Sequence, residues 1–165
     1  MITDFDSFFE WLMKWEGERL ENVPGDKGGV TKYGIDQRSH PDVVIAALTR
    51  DRARRIYAQE YGSSIGATLP VPLNWVMFDA EVNMGCLGAC RCLQRAIDVD
   101  ADGVIGPVTR AALQRVEPRA TAARLIMERE RRYKEIAWTN STQDRFLPGW
   151  LNRVADLKKN LLTTD

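Results

Sequence analysis

The sequence of 165 residues is poor in several features that mark particular classes of protein. It has one histidine and three cysteines, and its 23 Lys and Arg balance its 23 Asp and Glu. This balance predicts no nucleic-acid partner, because nucleic acids and anionic membrane surfaces are normally bound through a basic excess. No apolar stretch approaches the roughly 18 residues of a membrane-spanning helix. We therefore expect no stable insertion into a membrane.

The cysteines and the histidine are poorly placed for a disulfide framework or a metal site. An odd number of cysteines on one short segment does not favour paired disulfides. Their spacing relative to the histidine is not that of a known zinc module. The residues concerned are Cys86, Cys90, Cys92 and His40. We expect reduced cysteines, no metal and no cofactor.

Composition and periodicity favour a soluble, mainly α protein. Apolar residues make up 44% and charged residues 28% of the chain, which is close to the usual composition of globular domains. Apolar spacing predicts a helix over 4–16 that ends at Gly17, and the short run 30–33 is typical of the returning arm of one small β-hairpin. Further helices are predicted over 49–61, 73–84, 86–97, 107–116, 119–136 and 147–162.

Glycines and prolines at 62–72 predict a linker between two halves of the chain.

The turn from Asp98 to Gly103 has the same first residues as a calcium-binding loop. It has Thr109 where such a loop requires a bidentate glutamate. We therefore interpret it as a structural turn, after which Pro107 begins a helix.

The most informative residues lie between the first helix and the hairpin. Glu16 ends the helix, where the negative end of the helix dipole disfavours an ionised carboxyl group and so favours a general acid. Asp26 follows in a glycine-rich turn, and Thr31 and Tyr33 share one face of the short strand. Two carboxyl groups that flank a glycosidic bond are the general design of glycoside hydrolysis. On spacing alone, however, these residues are also typical of a solvated helix end and an ordinary turn.

The order of motifs along nearly the whole chain resembles glycoside hydrolase family 108, which includes lysozymes, endolysins and secretion activators. The similar segments are WEG at 15–17, PGDKGGVTKYGI at 24–35, FDAEVNMG at 78–85, LQRA at 93–96, DGVIGPVT at 102–109 and FLPGWLNR at 146–153. The resemblance implies a lysozyme-like fold, with residues 1–66 as a catalytic lobe. It implies that residues 67–165 form a helical peptidoglycan-binding lobe packed against it.

By this resemblance Glu16 is the general acid, and Asp26 and Thr31 stabilise the transition state or hold the attacking water. The family's second glycine is Glu18 here, which leaves Glu18, Glu21 and Asp26 as alternatives for a second carboxylate. Tyr33 is expected to bind substrate.

Asp79 and Asn83 lie one helical turn apart and share a face. The resemblance implies that they line the substrate groove and bind acetamido groups. The alternative is that they form a buried polar brace between the two halves of the chain.

The implied activity is that of a muramidase, which hydrolyses the β-1,4 bond between N-acetylmuramic acid and N-acetylglucosamine in peptidoglycan glycan strands. A lytic transglycosylase and a non-catalytic peptidoglycan-binding module are the alternatives, and inversion or retention stays open. The acidic N-terminus is unlike a secretory signal. We expect a monomer made in the cytoplasm, acting on the periplasmic or extracellular cell wall, and dependent on a holin or a secretion system for release.

Overall fold

The mainly helical class with a small antiparallel sheet is confirmed by a computed structural model, which describes residue 2, residues 4–22 and residues 29–162. The helices of the described residues are α1 Phe5–Glu16, α2 Arg50–Ser63, α3 Leu73–Ala96, α4 Pro107–Leu113, α5 Pro118–Thr139 and α6 Leu147–Leu162. The strands are β1 Glu21–Asn22, β2 Val30–Lys32 and β3 Ile35–Asp36.

The chain forms two compact units that divide between Ser63 and Ser64. The first contains α1, α2 and the sheet, and the second contains α3 to α6. The predicted lobes, catalytic over 1–66 and peptidoglycan-binding over 67–165, are defined by function, which the division into compact units does not test. The lobes therefore stay a prediction.

Helix α1 is defined at both ends by local chemistry. Asp4 caps its N-terminus by accepting a hydrogen bond from the Ser7 N–H at 2.8 Å, while the Asp4 N–H donates to the Ser7 hydroxyl. Such reciprocal caps satisfy N–H groups that lack a partner within the helix. At the other end Gly17 has φ 74 and ψ 168, and its N–H donates to the Met13 carbonyl. Glu16 is therefore the last helical residue, as the sequence predicts.

The sheet has three strands where the sequence predicts one hairpin. Strand β2 is central and pairs antiparallel with both β1 and β3. Strands β2 and β3 are joined by Tyr33 and Gly34, whose φ values are 56 and 74. Two consecutive residues with positive φ are typical of the type I′ turn, which matches the twist of the strands it joins.

Helix α3 is the centre of the second unit and packs on α5, which in turn contacts α6. Gly85 interrupts α3 with the non-helical angles φ 75 and ψ 159, so α3 consists of two helical segments that meet at a kink, as the sequence predicts. The prediction that α4 runs to residue 116 is wrong, since the helix ends at Leu113. Helix α5 extends to Thr139, past its predicted end.

The turn before α4 is held by the buried amide of Gln94. This amide donates to Asp102 Oδ1 at 2.7 Å, and its oxygen accepts from the Gly103 N–H at 2.7 Å. Pro107 occupies the first turn of α4, where a missing N–H costs nothing. The structural interpretation of this turn is confirmed.

The described residues bear on the predictions about membrane spans, metal sites and cysteines. None of their helices is both long enough and apolar enough for a membrane span. Within the same residues, no group of three or more His, Cys, Asp and Glu side chains is placed to hold a metal ion. Cys90 and Cys92 are buried free thiols, whereas Cys86 is exposed.

Candidate active site

Glu16 lies at the end of α1 with its side chain partly buried. The chain turns away directly afterwards, because Gly17 adopts a conformation that L side chains rarely take. Helix α1 is anchored by three buried side chains, Phe8, Phe9 and Leu12. The Glu16 carboxyl group is thus presented at the end of a fixed helix.

The turn between β2 and β3 lies directly against Glu16. A methyl group added at Gly34 would be 2.7 Å from Glu16 Oε2 and 2.7 Å from the Tyr57 hydroxyl oxygen. Any side chain larger than hydrogen would therefore displace the carboxyl group. The Tyr57 hydroxyl donates to the Tyr33 carbonyl at 3.0 Å, which ties α2 to the same turn. The positive φ of Gly34 and its lack of a side chain bring turn and carboxyl group together.

Thr31 is the middle residue of β2, and both it and Tyr33 are partly buried. Its direct partner on β1 is Glu21 and its direct partner on β3 is Asp36. Directly paired residues share a face of the sheet. The row across the three strands therefore places a hydroxyl group between two carboxylates.

The two carboxylates beside Thr31 differ in their partners. Asp36 Oδ1 accepts hydrogen bonds from the N–H groups of Arg38 and Ser39 at 3.0 and 2.9 Å. Partial burial acts to raise the pKa of Asp36, but these hydrogen bonds outweigh it and keep the pKa below the ordinary value. Asp36 thus holds the following turn, whereas Glu21 is exposed.

Asp26 and Glu18 are the other candidates for the second carboxylate, and they too differ in what the structure shows of their partners. Asp26 lies outside the described residues, so its assignment stays a prediction. Glu18 Oε1 accepts from the Arg50 guanidinium at 3.0 Å. The same guanidinium binds Glu10 at 2.8 Å, and so joins α1 to α2. The structure gives Glu18 this connecting role and brings Glu21, not Glu18, beside Thr31.

Asp79 lies in the second unit and is completely buried. Its Oδ2 accepts from Arg129 at 2.6 Å and its Oδ1 from Arg153 at 2.7 Å. Burial alone would raise the pKa of Asp79, but the two guanidinium groups hold it below its ordinary value. The prediction that Asp79 lines the groove is corrected, because a carboxylate enclosed by two arginines cannot be reached by a glycan. Asp79 forms a buried brace, but its two arginine partners belong to the second unit, so these contacts do not join the two halves as predicted.

Asn83 belongs to the same polar network at its partly buried end. Its side-chain oxygen accepts a hydrogen bond from the Tyr133 hydroxyl. That hydroxyl lies 3.3 Å from the Arg129 guanidinium, and the Tyr133 ring stacks on Trp150 at 5.2 Å between centroids. The contacts of Asn83 described here are structural, and its role in substrate binding stays a prediction.

Sequence reasoning missed the partners of Asp79. Arg129 lies in the charged run 124–132, which is typical of a solvated helix face, yet its side chain is completely buried. The available signal was Asp79 itself, since a carboxylate among apolar helix positions requires a countercharge. Glu81, on the same helix, was also missed, although burial raises its pKa to about 7.

Comparison with known proteins finds two family models that match consecutive parts of this chain. Residues 9–85 match the family model described as Glycosyl hydrolase 108, and residues 88–155 match the model described as Predicted Peptidoglycan domain. The first region ends at the Gly85 kink of α3, and both Glu16 and the sheet lie inside it. No curated protein sequence matches the chain.

The chain is also similar to a solved structure described as "Structure of Brucella abortus SagA". The two share 27% sequence identity and a TM-score of 0.78, over 94% of this chain and 92% of that one. This likeness supports a lysozyme-like fold, and together the matches support a glycoside hydrolase that acts on peptidoglycan. The chain is thus similar to glycosyl hydrolase family 108 over residues 9–85 and to a peptidoglycan domain over residues 88–155.

Proposed function

We propose that the protein is a muramidase that hydrolyses the β-1,4 bond between N-acetylmuramic acid and N-acetylglucosamine, with Glu16 as the general acid. The observation that carries this proposal is the contact of Glu16 with the Gly34 turn, inside the region that matches the hydrolase family. A general acid must be held within reach of the oxygen that it protonates. A fixed helix end and the close approach of Gly34, which has no side chain, supply such a position.

The chemistry requires Glu16 to donate a proton to the leaving oxygen while positive charge develops on the sugar ring. Thr31 can hold the attacking water through its hydroxyl group, and Asp26 is the proposed second carboxylate. Glu21 is the alternative to Asp26, since it pairs directly with Thr31. Comparison of Asp26→Asn with Glu21→Gln distinguishes the two, because only the true second carboxylate costs about 100-fold or more in rate when neutralised.

The substrate assignment depends on the peptidoglycan domain at residues 88–155. We propose that the enzyme acts as a monomer on the cell wall outside the cytoplasmic membrane, after release through a holin or a secretion system. Tyr33 and Asn83 remain proposed substrate-binding residues.

The test is digestion of purified sacculi, followed by mass spectrometry of the released muropeptides. A muramidase gives muramic acid at new reducing ends, with one added water per cleavage. Anhydromuramic ends would instead identify a lytic transglycosylase. Reducing N-acetylglucosamine ends would contradict the proposed bond. Binding to sacculi without any released product would identify a non-catalytic module.

A further inference from the structure

The second unit contains a cavity of about 330 Å³ away from the Asp79 network. Its lining comes from the second half of α3 and from α5. The residues are Met84, Leu87, Gly88, Arg91, Arg95 and Arg132. Its size is within the range of small-ligand sites, and three of its six lining residues are arginines. We call it the arginine pocket.

The arginine pocket follows from the periodicity of α3. Gly88, Arg91 and Arg95 are separated by three and four residues, which places them on one face of the helical segment that follows Gly85. Met84 lies before the kink and contacts this face at Gly88, where an added methyl group would be 3.4 Å from its Cγ atom. Arg132 is contributed by α5. The glycine at 88 leaves the first position of this face without a side chain, and Met84 and Leu87 supply apolar surface beside the guanidinium groups.

The charge in the arginine pocket is poorly balanced. Within residues 4–22 and 29–162, neither Arg91 nor Arg95 forms a salt bridge, and Arg132 has only a 3.7 Å contact with Glu135. Glu135 also binds Arg131, which in addition holds Glu128 at 2.9 Å. Three exposed guanidinium groups thus line one cavity in a chain of zero net charge.

The acids near the arginine pocket balance its charge only in part. Asp102 attracts Arg91 and offsets part of its charge, while its Oδ1 accepts from Gln94 and from the Val104 N–H, both at 2.7 Å. Asp98 pairs with Arg124. Positive groups that outnumber the acids beside them repel one another and attract an external anion.

We propose that the arginine pocket binds carboxylates of the peptide stems of peptidoglycan, and this inference rests on the proposed function. The planar fork of a guanidinium group matches a carboxylate through two parallel hydrogen bonds. In a strand that carries stems, the lactyl carboxyl of muramic acid is consumed in the amide bond to the stem, so the free carboxylates are those of the peptide stems. The apolar surface of Met84 and Leu87 suits the short aliphatic side chains of such stems. The pocket therefore makes strands with free stem carboxylates better ligands than strands in which those groups are blocked.

The first test measures binding of synthetic stem tetrapeptides, with lysine or diaminopimelate at the third position, by calorimetry on the full chain. The double variant Arg91→Gln/Arg95→Gln should bind about tenfold more weakly or worse, since charge-assisted hydrogen bonds are lost. The control Arg110→Gln/Arg115→Gln removes two exposed arginines outside the pocket and should bind like wild type. Tetrapeptides with amidated carboxyl groups should not bind. Equal binding by both double variants would overturn the proposal.

The second test uses sacculi before and after their stem carboxyl groups are converted to amides with a carbodiimide and ammonia. Wild type should pellet with the untreated sacculi more than with the amidated ones, and the Arg91→Gln/Arg95→Gln variant should lose this difference. Binding to phosphate-bearing wall polymer that requires the same arginines, without binding to stems, would overturn the carboxylate assignment. Hydrolysis of sacculi with no stem binding would overturn this inference and leave the muramidase intact. Stem binding without hydrolysis would reject the muramidase and leave the arginine pocket intact.

Discussion

Glu81 on α3 provides a prediction that depends on the second unit alone. Its Oε2 is enclosed and has no hydrogen-bond partner among the described residues. Burial raises the pKa of Glu81 to about 7, although hydrogen bonds from the Ser64 hydroxyl and the Ile65 N–H oppose the change. The folded protein therefore holds a proton on Glu81 at a pH where the unfolded chain has released it.

The sign of the pH dependence follows from this difference. Below pH 4.5, the ordinary value, both states are protonated and Glu81 carries no penalty. Between pH 4.5 and about 7 the folded state binds more protons, so the free energy of unfolding falls as pH rises. A fully buried group would lose about 3 kcal/mol across this interval. Because the side chain is partly exposed, we expect about 1–2 kcal/mol.

The assay is thermal unfolding of wild type and Glu81→Gln between pH 4 and pH 9. Glutamine has the shape of the protonated acid and cannot ionise, so the variant should not lose free energy of unfolding as the pH rises. At pH 8.5 its Tm should exceed that of wild type by about 2–8 °C, given about 2–4 °C per kcal/mol for a chain of this size. At pH 4 the two should agree. Parallel Tm curves across the whole range would refute the account of Glu81.

Two further substitutions test the brace and the turn. Asp79→Asn leaves two buried guanidinium groups without their countercharge, so it should lower the free energy of unfolding, measured with denaturant, by about 3–5 kcal/mol. The exposed control Asp98→Asn should lower it by less than about 1 kcal/mol. Equal losses in the two variants would contradict the buried brace. Gly34→Ala places a methyl group 2.7 Å from Glu16 Oε2 at a φ of 74, and should lower hydrolysis of sacculi about tenfold or more through misplacement of the acid. The control Gly62→Ala, whose added methyl group meets nothing within 4 Å, should keep wild-type activity, and full activity in Gly34→Ala would refute the role of the turn.

The parts of the fold that the sequence predicts are those with local causes. The end of α1 follows from apolar periodicity and from Gly17. The break in α3 follows from Gly85, whose positive φ interrupts a helix wherever it occurs. Strand β3 was missed because two residues are too short to show an alternating pattern.

The missed contacts depend on residues far apart in sequence. Asp79 meets Arg129 across 50 residues and Arg153 across 74. Nothing in the local pattern distinguishes Arg129 from its solvated neighbours, because only the packing of α5 on α3 removes it from water. The same limit applies to Asp79 itself, since a polar residue on a helix face has the same local pattern in a groove and in a core.

The central claim is that Glu16 donates the proton that breaks the glycosidic bond. The most direct measurement compares the rates at which wild type, Glu16→Gln and Glu10→Gln hydrolyse purified sacculi, with pelleting to verify that each still binds. Glu10 lies on the same helix and is exposed, so its variant carries the same chemical change away from the turn. We predict that Glu16→Gln binds sacculi but loses about 100-fold or more in rate, while Glu10→Gln hydrolyses like wild type. Hydrolysis by Glu16→Gln at the rate of Glu10→Gln would contradict the account.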